Sequence, residues 1–315
     1  MNRTPRLTFI IALIVLLIYP AYAQDSSEPT PTAVPRPFPS TVITQNGMTV
    51  ELYFETIAQG GIGLVHVQGE GIAGARARFL NRLVEFFPAE NDGYYALLAV
   101  SMEQTPRLYD LAIFAWYPDN SRITLNTQVE VVRGQFIRQA IGVPADRAYL
   151  IDPQVERHEF AHLDSIITTL TPEQYWDGKG FQLPANSEFT SPFGAFRTLN
   201  QTVSTRHTGW DMTAPTGTPV HAMSAGKVAF AGQLDIRGNH IIIDHGFGIF
   251  SGYSHLSEIL VSRQQTISQG QIIGLTGNTG RGNGPHLHWE IIVNGVWVDS
   301  RQFIETWLPV GNGSG

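Results

Sequence analysis

The 315-residue chain contains no cysteine. That absence excludes disulfide staples, thiolate zinc sites, iron–sulfur clusters, cysteine nucleophiles and anchoring through a lipidated cysteine. Any metal site must therefore be built from His, Asp or Glu, and there are 10 His residues to draw on. Charge is also scarce, at 15% of residues against roughly 25% in an average soluble domain. Positive charge is the scarcer sign: 20 Lys and Arg stand against 27 Asp and Glu, for a net charge of -7. No basic block could neutralise a run of phosphates, which argues against nucleic acid as a partner. What the chain does have is Gly (31), Pro (19) and a hydrophobic content of 43%. This favours strands and turns over long solvated helices, with enough apolar material for two cores at this length.

One long apolar run exists, at the amino terminus. Arg3 and Arg6 precede an apolar stretch over residues 7–19, and Ala21-Tyr22-Ala23 forms an A-x-A cleavage site, so residues 1–23 read as a secretory signal. The alternative is an uncleaved anchor, the one route by which a membrane becomes a partner. Either way the rest is expected outside the cytoplasm, in periplasm, cell wall or medium. Residues 24–40 carry Pro29, Pro31, Pro35, Pro37 and Pro39 and predict a stiff linker. Over residues 41–135 short apolar runs at 63–68, 94–100, 108–116 and 128–132 alternate with turn residues, predicting a small β-sandwich of immunoglobulin-like size without catalytic residues. Residues 136–180 read as a partly helical connector: Phe160, Leu163, Ile167 and Leu170 recur at helical spacing, and Thr171-Pro172-Glu173 resembles a second helix start. Residues 181–309 form a second β-rich domain and 310–315 a flexible tail. The fold class is mainly β.

The connector contains His158-Glu159-Phe160-Ala161-His162, which matches the H-E-x-x-H pattern of zinc proteases. Flanking Arg157 and Asp164 do not suit a buried zinc helix, and Ser165 and Thr168 stand where the extended motif needs Gly and His. The apolar stripe is offset from both histidines. The pattern is therefore read as a chance match on an ordinary amphipathic helix, and removal of Glu159 is expected to leave a site elsewhere unaffected.

Three segments further on carry a different inventory. His207-Thr208-Gly209-Trp210-Asp211 can bend a neutral nitrogen and a carboxylate onto one ion. In a strand, His286 and His288 point to one face with Leu287 behind them, and Tyr253 and His255 are expected to share a face in the same way. Each alone is weak. Together they supply three ligands and spare bases, the requirement for a catalytic zinc with an open position.

With their surroundings these segments resemble the lysostaphin/LytM-type zinc endopeptidases that cut peptide cross-links of bacterial peptidoglycan. The resemblance covers residues 189–303. It rests on Thr190-Ser-Pro-Phe-Gly194 with Arg197, His207-x-Gly-x-Asp211, Gly217-Thr-Pro-Val220, Gly226-Lys-Val228 and Asp244-His-Gly246. It continues through Tyr253-Ser-His-Leu256, Gly270-Gln-Ile-Ile-Gly274, Thr279-Gly280, Gly284-Pro-His-Leu-His-Trp-Glu290 and Val298-Asp299. The resemblance implies a β-rich groove of the duplicated hybrid type, with Zn²⁺ on His207, Asp211 and His288 and a catalytic pair in His255 and His286. It also implies peptidoglycan stems or cross-links as substrate. The competing reading is a catalytically silent wall-binding or hydrolase-activating module. Silent relatives lose some of these residues, and this chain keeps all of them. The remaining histidines, His66, His221, His240 and His245, are expected in surface or hydrogen-bonded core positions.

Overall fold

A computed structural model of the protein describes residues 29–30, 33–89 and 92–310. The signal sequence expected at 1–23, part of the Pro-rich linker and residues 311–315 of the tail lie outside the described residues. Among the described residues no helix is long and apolar enough to cross a membrane.

The amino-terminal half forms two five-stranded sheets. One runs in the order Thr41–Gln45, Met48–Leu52, Ile62–Gln68, Tyr94–Ala99, Phe87–Pro88, and the other Thr56–Ala58, Arg122–Val132, Arg107–Trp116, Gly74–Phe79, Arg82–Glu85. Alternation decides which face is buried: in Arg107–Trp116 the side chains of Leu111, Ile113 and Ala115 are buried and those between them are not. They meet Val50, Val65, Val67 and Leu98 of the first sheet in one apolar layer. The first sheet is buried on its other face as well. Ile62, Leu64, Phe87, Tyr95 and Leu97 join Trp176, Phe181, Ile291 and Phe303 in a second cluster that runs into the carboxy-terminal half.

That half is organised by an eight-stranded sheet in the order Phe189–Ser191, Trp210–Thr213, His286–Val293, Ile249–Leu256, Gly238–Gly246, Gly226–Leu234, Thr266–Ile267, with Val296–Val298 pairing beside His286–Val293. Asn294 and Gly295, both at positive φ (51° and 72°), make the two-residue hairpin between these last two strands. Such a turn matches the twist of paired strands, and its left-handed backbone suits Asn and Gly.

The connector is more than a linker. Arg138–Ile141 pairs in parallel with Phe196–Leu199, extended by Val203–Arg206. A helix over Pro153–Ile167 follows, with Asp152 accepting from the Gln154 N–H at its start. Leu163 and Ile167 pack on Ile242, Phe250 and Ile292. The expected second helix at Thr171 does not form. Its backbone is taken up by the neighbouring loop, where Phe247 N–H donates to Thr171 O and Tyr175 N–H to His245 O.

Candidate metal centre

Trp210–Thr213 and His286–Val293 pair antiparallel with Asp211 opposite His288 and Thr213 opposite His286. Residues directly opposed across strands share a face, so Asp211 and His288 stand side by side while Met212, Leu287 and Trp289 go into the core. His207 arrives from the preceding loop. Gly209 permits the bend, because a Cβ there would lie 2.3 Å from Trp289 O.

The three side chains converge. His207 Nε2 lies 3.0 Å from Asp211 Oδ1 and 2.9 Å from His288 Nδ1, and His288 Nδ1 lies 2.9 Å from Asp211 Oδ1. Among the described residues this is the one group of three or more His, Asp or Glu whose ligand atoms all lie within 4.8 Å of one another. The other ring nitrogens fix the tautomers. His207 Nδ1 is 2.7 Å from Pro192 O, and His288 Nε2 is 3.2 Å from Glu290 Oε1. A carbonyl and a carboxylate only accept, so these nitrogens carry the protons and the facing atoms carry lone pairs. Three lone pairs about 3 Å apart repel unless a cation sits among them, and ligands at Zn–N and Zn–O lengths around a tetrahedron stand about 3.3 Å apart. The donor set fits a zinc ion.

The surroundings tune these groups. Burial would raise the Asp211 carboxyl, but His207 and the Arg197 guanidinium hold it well below the usual carboxylate range. Arg197 Nη2 donates to Asp211 Oδ2 and, at 2.8 Å, to Ser191 Oγ. Burial pushes His207 down to about 4, leaving it neutral. For His288, burial is outweighed by Glu290 and Asp211, and its pKa is raised above 6.5. A proton and a metal ion therefore compete for this ring.

A cleft of about 310 Å³ opens on this point, lined by Asp211, Arg197, Ile141, Arg281, His255 and His286 among others. His286 Nδ1 donates to Gly284 O at 2.8 Å and His255 Nδ1 to Thr279 O at 2.8 Å, so each ring carries a proton on Nδ1. Burial, together with His286 and His288, holds the His255 pKa well below its usual value.

The expectation that Tyr253 and His255 share a face is wrong. Tyr253 is fully buried opposite Trp289, its hydroxyl bonded to Met223 N–H and Ser251 Oγ. His255 breaks the alternation by adopting φ 62°, and the strand pairing shifts register between Asn239 and Ile241.

The H-E-x-x-H residues are separated by the fold. His158 and His162 are exposed, whereas Glu159 is buried and turns inwards with Leu163 and Ile167. Its Oε1 pairs with Arg237 Nη1 at 2.9 Å, and Arg237 forks onto Glu290 through Nη2 at 2.6 Å and Nε at 3.0 Å. Glu290 in turn contacts His288 at 3.2 Å, so contacts run from Glu159 to the metal centre. A signal was present: Glu159, Leu163 and Ile167 repeat every four residues, one face of a helix. Arg237 had none, being distant in sequence and outside any motif. His66, His240 and His245 are buried and hydrogen-bonded.

Residues 205–300 match the profile of Peptidase family M23. Over 94 residues the chain is 48% identical to the peptidoglycan DD-endopeptidase ShyA of Vibrio cholerae, a match covering 30% of this chain and 22% of that protein. The chain thus spans about a fifth of the length of the curated relatives it matches. Among solved structures, the catalytic domain of the antimicrobial peptidase lysostaphin from Staphylococcus simulans is 31% identical, with 38% of this chain and 94% of that one covered, at a TM-score of 0.35. A peptidase M23 structure from Pseudomonas aeruginosa aligns over 79% of this chain and 95% of its own, at a TM-score of 0.57 and 25% identity.

Proposed function

The chain belongs to peptidase family M23, and from that premise we propose that it is a zinc-dependent endopeptidase hydrolysing peptide cross-links of peptidoglycan outside the cytoplasm. The observation that carries the reading is the convergence of His207 Nε2, Asp211 Oδ1 and His288 Nδ1 beside the imidazoles of His255 and His286. When bound, zinc supplies Lewis acidity to a scissile carbonyl and lowers the pKa of a water towards 7. The protein's own part follows from the tautomers. The Nε2 of His255 or His286 accepts a proton from the attacking water, and the imidazolium so formed stabilises developing negative charge and delivers that proton to the leaving amine. Thr279 O and Gly284 O keep both rings in the orientation and tautomer that this requires. Arg197 keeps Asp211 ionised and aimed.

The amino-terminal sandwich, on this reading, orients the cleft rather than supplying chemistry, and the division at residues 41–135, 136–180 and 181–309 follows function more than folding. The test is release of muropeptides from purified sacculi by the full chain, with and without a chelator. Cleavage that the chelator stops and added zinc restores is the expected result, and activity that survives chelation overturns the reading. Product masses from sacculi of different cross-link chemistry would identify the bond cut.

A further inference from the structure

We propose that Glu159, on the connector helix, is a positioning residue for the metal centre, holding Arg237 so that one side chain fixes both His288 and His255. The proposal rests on the reading of His288 as a metal ligand.

The route from Glu159 has two branches. In the first, Glu159 Oε1 holds Arg237 Nη1 at 2.9 Å, and Arg237 Nε and Nη2 grip the two oxygens of Glu290 at 3.0 and 2.6 Å. Glu290 Oε1 then takes the Nε2 proton of His288 at 3.2 Å, with Thr208 Oγ1 donating to the same oxygen. A ligating histidine whose second nitrogen is held by a carboxylate has its tautomer and ring plane fixed. In the second branch, Glu159 Oε2 accepts the Ile236 N–H at 2.6 Å, which pins the turn that carries Arg237. Arg237 O accepts the His255 N–H at 2.8 Å, at the residue whose left-handed backbone brings its ring to the cleft.

Glu159, Arg237 and Glu290 are each no more than 4% exposed, so water cannot replace a missing partner. The guanidinium also lies over the Phe160 and Trp297 rings, at 5.2 and 5.8 Å from their centroids. Without Glu159 the Nη1 end of Arg237 loses its carboxylate, and a buried cation with one partner gone shifts. The fork on Glu290 then loosens, and His288 with it. A carboxylate that a motif scan assigns to a second zinc site thereby serves the first from behind.

The test uses the full chain and measures zinc affinity by chelator competition, alongside the melting of the metal-free protein. Glu290→Gln is expected to weaken zinc about 10- to 100-fold. Glu159→Gln, one link further away, is expected to weaken it about 3- to 10-fold. In the double variant the Glu159 substitution should add nothing, because its effect passes through Glu290. A purely structural role would lower melting and leave zinc affinity alone. Glu159→Asp, which keeps the charge but withdraws it by one methylene, substitutes if Glu159→Gln does not fold and is read by the same criterion. Zinc affinity within twofold of wild type in the folded variant, or losses that multiply in the double variant, overturns the proposal. A wild-type chain that binds no zinc overturns instead the metal-site reading beneath it.

Discussion

The imidazoles of His255 and His286 lie with ring centroids 4.7 Å apart at 49°, although they come from different strands and only His286 obeys strand alternation. Their Nδ1 protons are committed to backbone carbonyls, so both rings act through Nε2. His255→Ala and His286→Ala are each expected to retain stoichiometric zinc while turnover falls about 10²- to 10⁴-fold, the usual contribution of a positioned acid or base. His207→Ala, Asp211→Ala and His288→Ala should instead lose the metal. Metal analysis beside muropeptide release separates the two groups, and loss of zinc in His255→Ala would move that residue into the ligand set.

Arg197 carries a second prediction. Together with His207, its guanidinium offsets burial at Asp211. Arg197→Ala leaves Asp211 exposed to the desolvation that favours its protonated form, so zinc affinity should drop about 10-fold or more at neutral pH. The deficit should widen as pH falls, because protons then compete for the carboxylate. Chelator competition at several pH values measures this, and a pH-independent deficit would count against it.

The buried histidines away from the cleft predict acid sensitivity. Burial holds His240 down to about 3 and His245 down to about 4, while in the unfolded chain each takes a proton near 6.5. The unfolded state therefore binds more protons below 6.5. The stability contributed by each neutral ring is complete above that pH and declines as pH falls, to about 4 for His245 and about 3 for His240. The slope is on the order of 1 kcal/mol per pH unit for each group. Urea midpoints of the metal-free protein between pH 7 and 4 should show it, and His245→Gln should flatten the slope by one proton's worth. An unchanged slope in that variant would refute the assignment.

The two halves share an apolar cluster, which predicts that they unfold together. Phe87 of the sandwich meets Trp176 edge-on at 5.6 Å and Phe247 at 5.1 Å. Phe87→Ala is expected to cost about 3–5 kcal/mol and to lower a single melting transition rather than split it. A fragment of residues 181–315 lacks Trp176, Gln139, Arg147 and Glu159, and Arg147 Nη1 holds the His286 loop through Asn278 O and Gly282 O at 2.7 and 2.9 Å. That fragment should melt lower and turn over more slowly than the full chain. Faster cleavage by the fragment would show that the sandwich covers the groove instead.

Much of this was legible in the chain. The apolar runs at 108–116 and 63–68, set off by turn residues, announced strands, the stripe through Leu163 and Ile167 announced a helix, and His-x-His in an apolar run placed two imidazoles on one face, because these signals are local. The errors came where a distant segment overrode a local preference. Thr171 and Pro172 have a helix-start composition, yet the 244–247 loop claims their backbone; a Cβ at Gly246 would lie 1.6 Å from Glu173 O.

The absence of cysteine restricted any zinc to nitrogen and oxygen donors, and the family resemblance carried by the sequence motifs implied His207, Asp211 and His288 as those donors. Residue type and short-range spacing are written in the chain itself, so these followed without coordinates. What only the tertiary structure decided was how those donors are held: the left-handed turn that brings His255 across to His286, and the Arg237 that joins the connector to Glu290 and His288. It also decided that the H-E-x-x-H pattern is divided, with two histidines in solvent and one carboxylate in the core. The reason is physical. A buried ion pair must find its partner wherever packing brings one within reach, and the partners of Glu159 lie far along the chain, where no local pattern points to them.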